Sequence, residues 1–379
     1  MNIFEKLDNK LRTASIGELR QIIASTGTPS YVQHSADREL ERLSGLGSDT
    51  PEYRNILVYL GYLISLPWSR RTGYSPDIKK MESVLESDAG FPQEIRGKIL
   101  KYLAVRLLNE ARKPRILVVD DERIAIESMQ HALSKEGYTV EQANSGAEAV
   151  RKMEAGSFDV VITDLIMGDI DGHAIVREVK DKYPETRVIM ITGYATVDTA
   201  VEAIRMGAFH YIEKPIKLEE VRSIVREALK QKPSGKKSNL CFAGGPEAET
   251  ASLGRTIADA LGRKFIRISL AGIKDESVII GQGRGAEGAI PGCIIEEICR
   301  AGVADPVIML EGPDLAGQGP DRGFESALTA MLDPGRNHNF VDRYLGVPFD
   351  LSGVVFIVTA ADSENIPASL RDSLEIIRF

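Results

Sequence analysis

The chain has 379 residues, of which 43% are hydrophobic and 27% charged, enough apolar material for two or three cores. A net charge of −8 and a sequence pI of about 5.4 exclude an overall nucleic-acid-binding surface. The three cysteines, Cys241, Cys293 and Cys299, form no CxxC pair and no disulfide framework, so a reducing, cytoplasmic compartment is expected.

Residues 1–111 read as a helical segment. The opening "MNIFEKLDNKLRT" carries charges where a secretory signal needs an apolar core, and Ile3, Phe4, Leu7 and Leu11 fall at helical spacing. "SADRELERL" is a second helical pattern. "ILVYLGYLISLPW" is shorter than the ~20 residues a membrane span requires, so it reads as a buried helix ended by Pro67, with no membrane contact. "FPQEIRGKILKYLAVRLL" is amphipathic, with Ile95, Ile99, Tyr102, Leu103 and Leu107 on or near one face. No catalytic constellation appears in this segment, which reads as a support or oligomerisation element.

Residues 112–232 alternate strands and helices. "RILVV", "TVEQA", "FDVVIT", "RVIMIT" and "FHYIE" are the predicted strands, with amphipathic helices between and after them. Near-continuous apolar strands of this kind predict a parallel sheet covered on both faces. Ligands of such sheets sit at the C-terminal ends of the strands. Those ends carry Asp120 and Asp121, then Asp164, Thr192 and Lys214. Carboxylates converging on one crevice repel each other, and a hard divalent cation with oxygen ligands relieves that repulsion. "KQKPSGKKSN" follows as a polar, basic linker.

The motifs "ILVVDDE", "VVITDLIMGDIDG", "ITGYA" and "HYIEKP" together resemble the receiver domain of bacterial two-component response regulators. The resemblance implies a flavodoxin-like (βα)5 fold, Asp164 as phosphoacceptor, and Mg2+ held by Asp120, Asp121, Asp164 and the Ile166 carbonyl. It also implies that Thr192 and Lys214 contact the phosphoryl group, that Tyr211 is the aromatic that changes rotamer, and that a sensor histidine kinase or phosphotransfer protein is the donor. Gly168 stands where that family usually has proline, which loosens the loop after Asp164 without removing a reacting group.

Residues 233–379 show a second α/β pattern, with "NLCFA", "FIRIS", "PVIML" and "GVVFIVTA" as candidate strands and "GQGRGAEGAIPG" as a Gly-rich excursion. "AGGPEAETASLG" has the strand–loop–helix layout of a phosphate-binding loop, which needs glycines, a lysine and a Ser or Thr at fixed offsets. Here the loop holds Glu247 and Glu249 and no lysine. "YRNILVYLGYLISLPW", "GKILKYLAVRLL", the stretch around this loop, "MLDPGRNHNFVDRYLGVPFDLSGVVFIVTA" and "NIPASLRDSLEIIRF" resemble the ATP-dependent Lon protease, its helical segment and AAA+ α/β core. On that resemblance the receiver interrupts a Lon-like chain.

The resemblance places the phosphate-loop lysine at Thr250, the magnesium hydroxyl at Ala251, and two loop glycines at Glu247 and Glu249. Glu311 and Gly312 stand where adjacent Asp and Glu are expected, Ala361 at the polar sensor, Ser373 at the inter-subunit arginine, and Ala286 and Glu287 at the aromatic pore pair. One like-charge contact at ~4 Å and an effective dielectric of ~20 costs about 4 kcal/mol. These replacements lead to the expectation of a pseudo-ATPase module that binds no ATP. The sequence ends after "EIIRF", and with no peptidase segment the chain is expected to be no enzyme apart from receiver self-phosphorylation.

The predicted whole is an α/β multidomain signalling protein of a two-component phosphorelay, with the Lon-like module as scaffold. The alternatives are a regulator of authentic Lon or its substrates by mixed assembly, and a residual phosphorylation-gated ATPase or unfoldase. A homo-oligomer is expected, a dimer rather than a hexamer. No helix-turn-helix or basic stripe supports nucleic-acid binding.

Overall fold

A computed structural model describes residues 14–73, 78–87, 91–168, 171–193, 196–230, 238–273, 275–313 and 323–379. The predicted first helix with Ile3, Phe4, Leu7 and Leu11, most of the basic linker, Asp169, Ile170 and Tyr194 lie outside the described residues. The chain divides into two compact units, Leu107–Pro233 and the flanking Met1–Arg106 with Ser234–Phe379.

In the flanking unit, α1 (Ile16–Ser25) starts at a reciprocal cap in which the Ser15 hydroxyl accepts from the Glu18 N–H and Glu18 accepts from the Ser15 N–H. After α2 (Ser30–Ser44) comes α3 (Pro51–Ser65), opened by Thr50 as N-cap with proline in the first turn. α3 is the apolar "ILVYLGYLIS" helix, and Tyr59, Leu60 and Leu63 are fully buried. Its burial in a protein core, where α1, α2 and α3 share one apolar cluster with Ile294, Ile298, Leu328 and Phe356, explains its composition. No helix among the described residues is long and apolar enough to cross a membrane. Two further helices, α4 (Ile78–Ser87) and α5 (Gln93–Ala111), complete the N-terminal part.

The inserted unit follows as β1 (Arg115–Val119), α6 (Arg123–Lys135), β2 (Thr139–Ala143), α7 (Gly146–Ala155), β3 (Val160–Asp164), α8 (Gly172–Lys182), β4 (Arg187–Thr192), α9 (Val197–Met206), β5 (His210–Glu213) and α10 (Leu218–Lys230). All five strands pair in parallel in the order β2-β1-β3-β4-β5. Two apolar clusters, one on each face, cover the sheet, as near-continuous apolar strands require. β3 begins at Val160, two residues after the predicted start; Asp159 before it bonds through its backbone to Arg115 and Arg187, and its side chain also accepts from the Arg115 N–H.

The C-terminal part of the flanking unit holds β6 (Asn239–Ala243), α11 (Glu247–Ala260), β7 (Phe265–Ser269), α12 (Ser277–Ile280), α13 (Cys293–Ala301), β8 (Val307–Glu311) and α14 (Gly323–Leu332). Then come the short antiparallel pair β9 (Phe340–Val341) and β10 (Pro348–Phe349), β11 (Val355–Ala360), α15 (Ala368–Arg371) and β12 (Leu374–Arg378). The parallel order is β12-β6-β11-β8-β7. β12 and the β9–β10 pair have no counterpart among the predicted strands. "LEIIR" reads as a strand only once it lies beside β6, with Ile376 opposite Cys241.

Candidate functional site

Parallel register builds the acidic pocket. Val119 lies opposite Thr163, so the next residues, Asp120 and Asp164, emerge side by side from β1 and β3. Asp164 pairs with Ile191 and Thr192 with Glu213, which brings Thr192 and Lys214 to the same end. Carboxylate oxygens of Asp120, Asp121 and Asp164 all lie within 4.8 Å of one another, with Asp120 and Asp164 buried and Asp121 exposed.

Lys214 answers two of these charges. Its Nζ donates to Asp164 Oδ2 at 2.7 Å and to Asp120 Oδ2 at 3.1 Å, and lies 3.7 Å from Glu122. Burial by itself lowers the Lys214 pKa, but its bonds to Asp164 and Asp120 outweigh that and hold it above the ordinary lysine value. Burial raises the Asp120 carboxyl above the usual carboxylate range, against the bonds it accepts from the Glu122 N–H and Lys214. One ammonium therefore faces three carboxylates, with a fourth nearby. The oxygen-only donor set, open on the Asp121 side, fits a hard divalent cation that keeps part of its water shell.

The remaining predicted residues take distinct places. Thr192 is fully buried at the end of β4, and its carbonyl accepts from the Lys214 N–H at 2.8 Å. The Ile166 N–H donates to Asp164 Oδ1 at 3.2 Å, while its side chain is exposed. The Tyr211 hydroxyl is hydrogen-bonded to Thr199 Oγ1 at 2.9 Å, at the first turn of α9. Gly168 leaves open space around its Cα.

Sequence reasoning missed the position of Gly172, although "DIDG" follows Asp164 closely. A Cβ there would lie 2.4 Å from the Asp164 carbonyl oxygen and 2.9 Å from Leu165 Cα, both backbone atoms. Gly172→Ala is expected to destabilise the inserted unit by about 2 kcal/mol and displace Asp164. Chemical denaturation read beside phosphoryl incorporation checks this, and wild-type values of both would reject it.

At the end of the second sheet, Glu247 and Glu249 form the first turn of α11, beginning after Pro246. Thr250 is buried and its hydroxyl donates to the Glu247 carbonyl at 3.0 Å; Ala251 follows it in the helix. Arg267 of β7 joins Glu247 at 3.0 Å and Glu311 at 2.6 Å. The loop is thus not simply filled with acid, since one guanidinium pairs with both Glu247 and Glu311 and offsets one of their two charges. Sequence reading did not find Arg267, because its contacts cross strands. Gly312 adopts φ +67° and its N–H donates to the Thr359 carbonyl. Ala361 follows β11, Ser373 Oγ donates to the Leu370 carbonyl, and Ala286 and Glu287 are exposed on the 282–290 loop.

The family profile "Response regulator receiver domain" matches residues 116–226. Lon protease of Chloroflexus aurantiacus is 30% identical over 366 residues, covering 97% of this chain and 30% of that protein. Lon protease of Dictyoglomus thermophilum is 31% identical over 368 residues, covering 97% of this chain and 31% of its own length. The chain thus spans about 30% of the length of the curated relatives it matches. A crystal structure of a response regulator receiver domain protein from Clostridium thermocellum is 35% identical, covers 31% of this chain and 94% of its own, and has a TM-score of 0.29.

The Lon relatives correct one expectation. A chain that is no enzyme, with ATPase and peptidase activities absent, does not stand when proteins named Lon protease match 97% of it. The exclusion rested on residue changes at the phosphate loop, the strand-end, sensor, inter-subunit and pore positions, and on the end of the sequence. The first overlooked Arg267, and the second says nothing of the parts of those relatives that this chain does not span. Residues 116–226 belong to the response regulator receiver domain family, inserted in a chain that is Lon-like on both sides.

Proposed function

We propose that this protein is a phosphorylation-responsive regulator that accepts a phosphoryl group on Asp164 and passes the change to the Lon-like unit, with insertion borders near 111/112 and 232/233. The observation that carries this is the convergence of Asp120, Asp121, Asp164 and Lys214 at the strand ends of a receiver. An Asp164 oxygen forms the new O–P bond as the donor's P–N or P–O bond breaks, and the leaving group departs with that electron pair. Lys214, already bonded to Asp164, would pair with the incoming phosphoryl oxygens, and the Thr192 hydroxyl would hydrogen-bond them. Mg2+ on Asp120, Asp121, Asp164 and the Ile166 carbonyl supplies charge neutralisation when bound. The phosphodonor is a sensor histidine kinase or phosphotransfer protein, the compartment reducing and cytoplasmic, and the assembly a homo-oligomer.

Incubation of the full chain with acetyl phosphate and Mg2+ is expected to add one phosphoryl group per chain by intact mass, and none when EDTA removes the metal. No incorporation with Mg2+ present would reject the reading.

A second reading follows from the relatives' name: the chain belongs to a Lon-type machine, or assembles with one, and the receiver gates it. Retention of a Lon-type protein from host lysate that changes with the phosphoryl state supports it. Retention of none, together with no ATP-dependent activity in the purified protein, would end it.

A further inference from the structure

Two side chains of one helix of the flanking unit donate to a single carbonyl. Helix α5, Gln93–Ala111, is continuous through the boundary at Arg106 and Leu107. Ile95, Ile99 and Leu103 bury its inner face. From its other positions the Tyr102 hydroxyl donates to the Ser238 carbonyl, and Arg106 Nη1 donates to the same oxygen at 3.3 Å. Arg106 Nη2 donates to the Val354 carbonyl at 3.1 Å.

Ser238 immediately precedes β6 and Val354 immediately precedes β11, and these strands are neighbours, with Leu240 opposite Ile357. One helix therefore holds the entries of two adjacent interior strands. Two donors use both lone pairs of the Ser238 carbonyl. The Ser238 hydroxyl is itself buried without a partner among the described residues. The next residue, Asn239, is fixed by its side-chain bond to the Leu332 carbonyl at 2.7 Å and by its N–H to the Ser373 carbonyl at 3.2 Å.

We propose that Tyr102 and Arg106 form the relay by which the receiver acts on the Lon-like α/β core. An α-helix is stiff along its axis, so a shift imposed on Leu107–Ala111 reaches Tyr102 and Arg106 within about three turns. Their hydrogen bonds convert it into a shift of the starts of β6 and β11. β6 ends at Ala243 and leads through Gly244–Pro246 into α11, so the Glu247–Arg267–Glu311 group lies at the far end of the same strand. The close packing of interior strands gives that motion little room to dissipate. The relay uses the entry helix, in contrast to a route through the exit linker, and it rests on Asp164 being the phosphoacceptor.

The test is hydrogen exchange on the full chain with Mg2+, with and without beryllofluoride, in wild type, Tyr102→Phe, and Tyr102→Phe with Arg106→Gln. Wild type is expected to change at peptides covering 116–192 and at 238–260. The double variant is expected to keep the pocket change and lose about fivefold or more of the change at 238–260. Tyr102→Phe, which keeps the ring and removes one hydroxyl, is expected to fall between them and guards against misfolding of the double variant. A wild-type-sized response at 238–260 in the double variant overturns the relay. So does a wild type whose pocket responds while 238–260 does not. No pocket response in wild type sinks the phosphoacceptor reading and the relay together.

Discussion

Asp164→Asn is expected to lower phosphoryl incorporation from acetyl phosphate by at least about 100-fold while leaving the fold intact. The amide has no anionic oxygen to attack phosphorus, and no other carboxylate of the pocket is placed in the same way. Asp120 is fully buried where Asp164 keeps some exposure, and Asp121 is the exposed member of the set. The stability effect should stay within about 1 kcal/mol, because losing the bond from Lys214 is offset by relief of repulsion between neighbouring carboxylates. Intact mass and urea denaturation, run on the same preparation, separate the two effects. Incorporation at the wild-type level would place the phosphoacceptor elsewhere.

Lys214→Ala, by contrast, is expected to lower stability. It leaves buried Asp120 and Asp164 facing exposed Asp121 with no cation. Breaking a buried ion pair from one side typically costs ~3–5 kcal/mol, and with the Lys214 side chain 23% exposed the expected loss is about 2 kcal/mol at pH 7 without metal. The pH dependence has a definite sign. Burial already raises Asp120 above its unfolded value, and removing the ammonium raises it further. The cost is therefore full above that raised pKa and shrinks as pH falls through it. Divalent cations should restore stability and bind several-fold more tightly than to wild type, because a competing positive charge is gone. Denaturation at two pH values with a Mg2+ titration checks each part. Equal stability of the two proteins at pH 7 would show that Lys214 holds no uncompensated charge.

The contrast between these two variants reflects how the pocket is made. Asp120, Asp121, Asp164 and Lys214 were legible because each follows an apolar strand, and strand ends on one side of a parallel sheet converge whatever the intervening helices contain. Thr192 was legible for the same reason. Gly172 was not, because its importance is a close approach to the Asp164 carbonyl that spacing does not encode. Arg267 was not, because it reads as one polar residue in an alternating strand until β7 lies beside β8 and its guanidinium reaches Glu311 and Glu247.

The amino-acid sequence by itself determined the alternation of strands and helices, the central receiver pattern and the acidic strand ends. These depend on periodicity and on neighbours in the chain, which local backbone geometry reads directly. Tertiary structure alone decided that "LEIIR" is a strand, that the N-terminal helices and the C-terminal sheet share one core, and that Glu247 and Glu311 share one arginine partner. It also brought Tyr102 to Ser238 across 136 residues of chain. Each of these is a contact between segments whose pairing depends on strand order and register, and a hydrogen bond or ion pair between distant residues leaves no periodic mark on either segment.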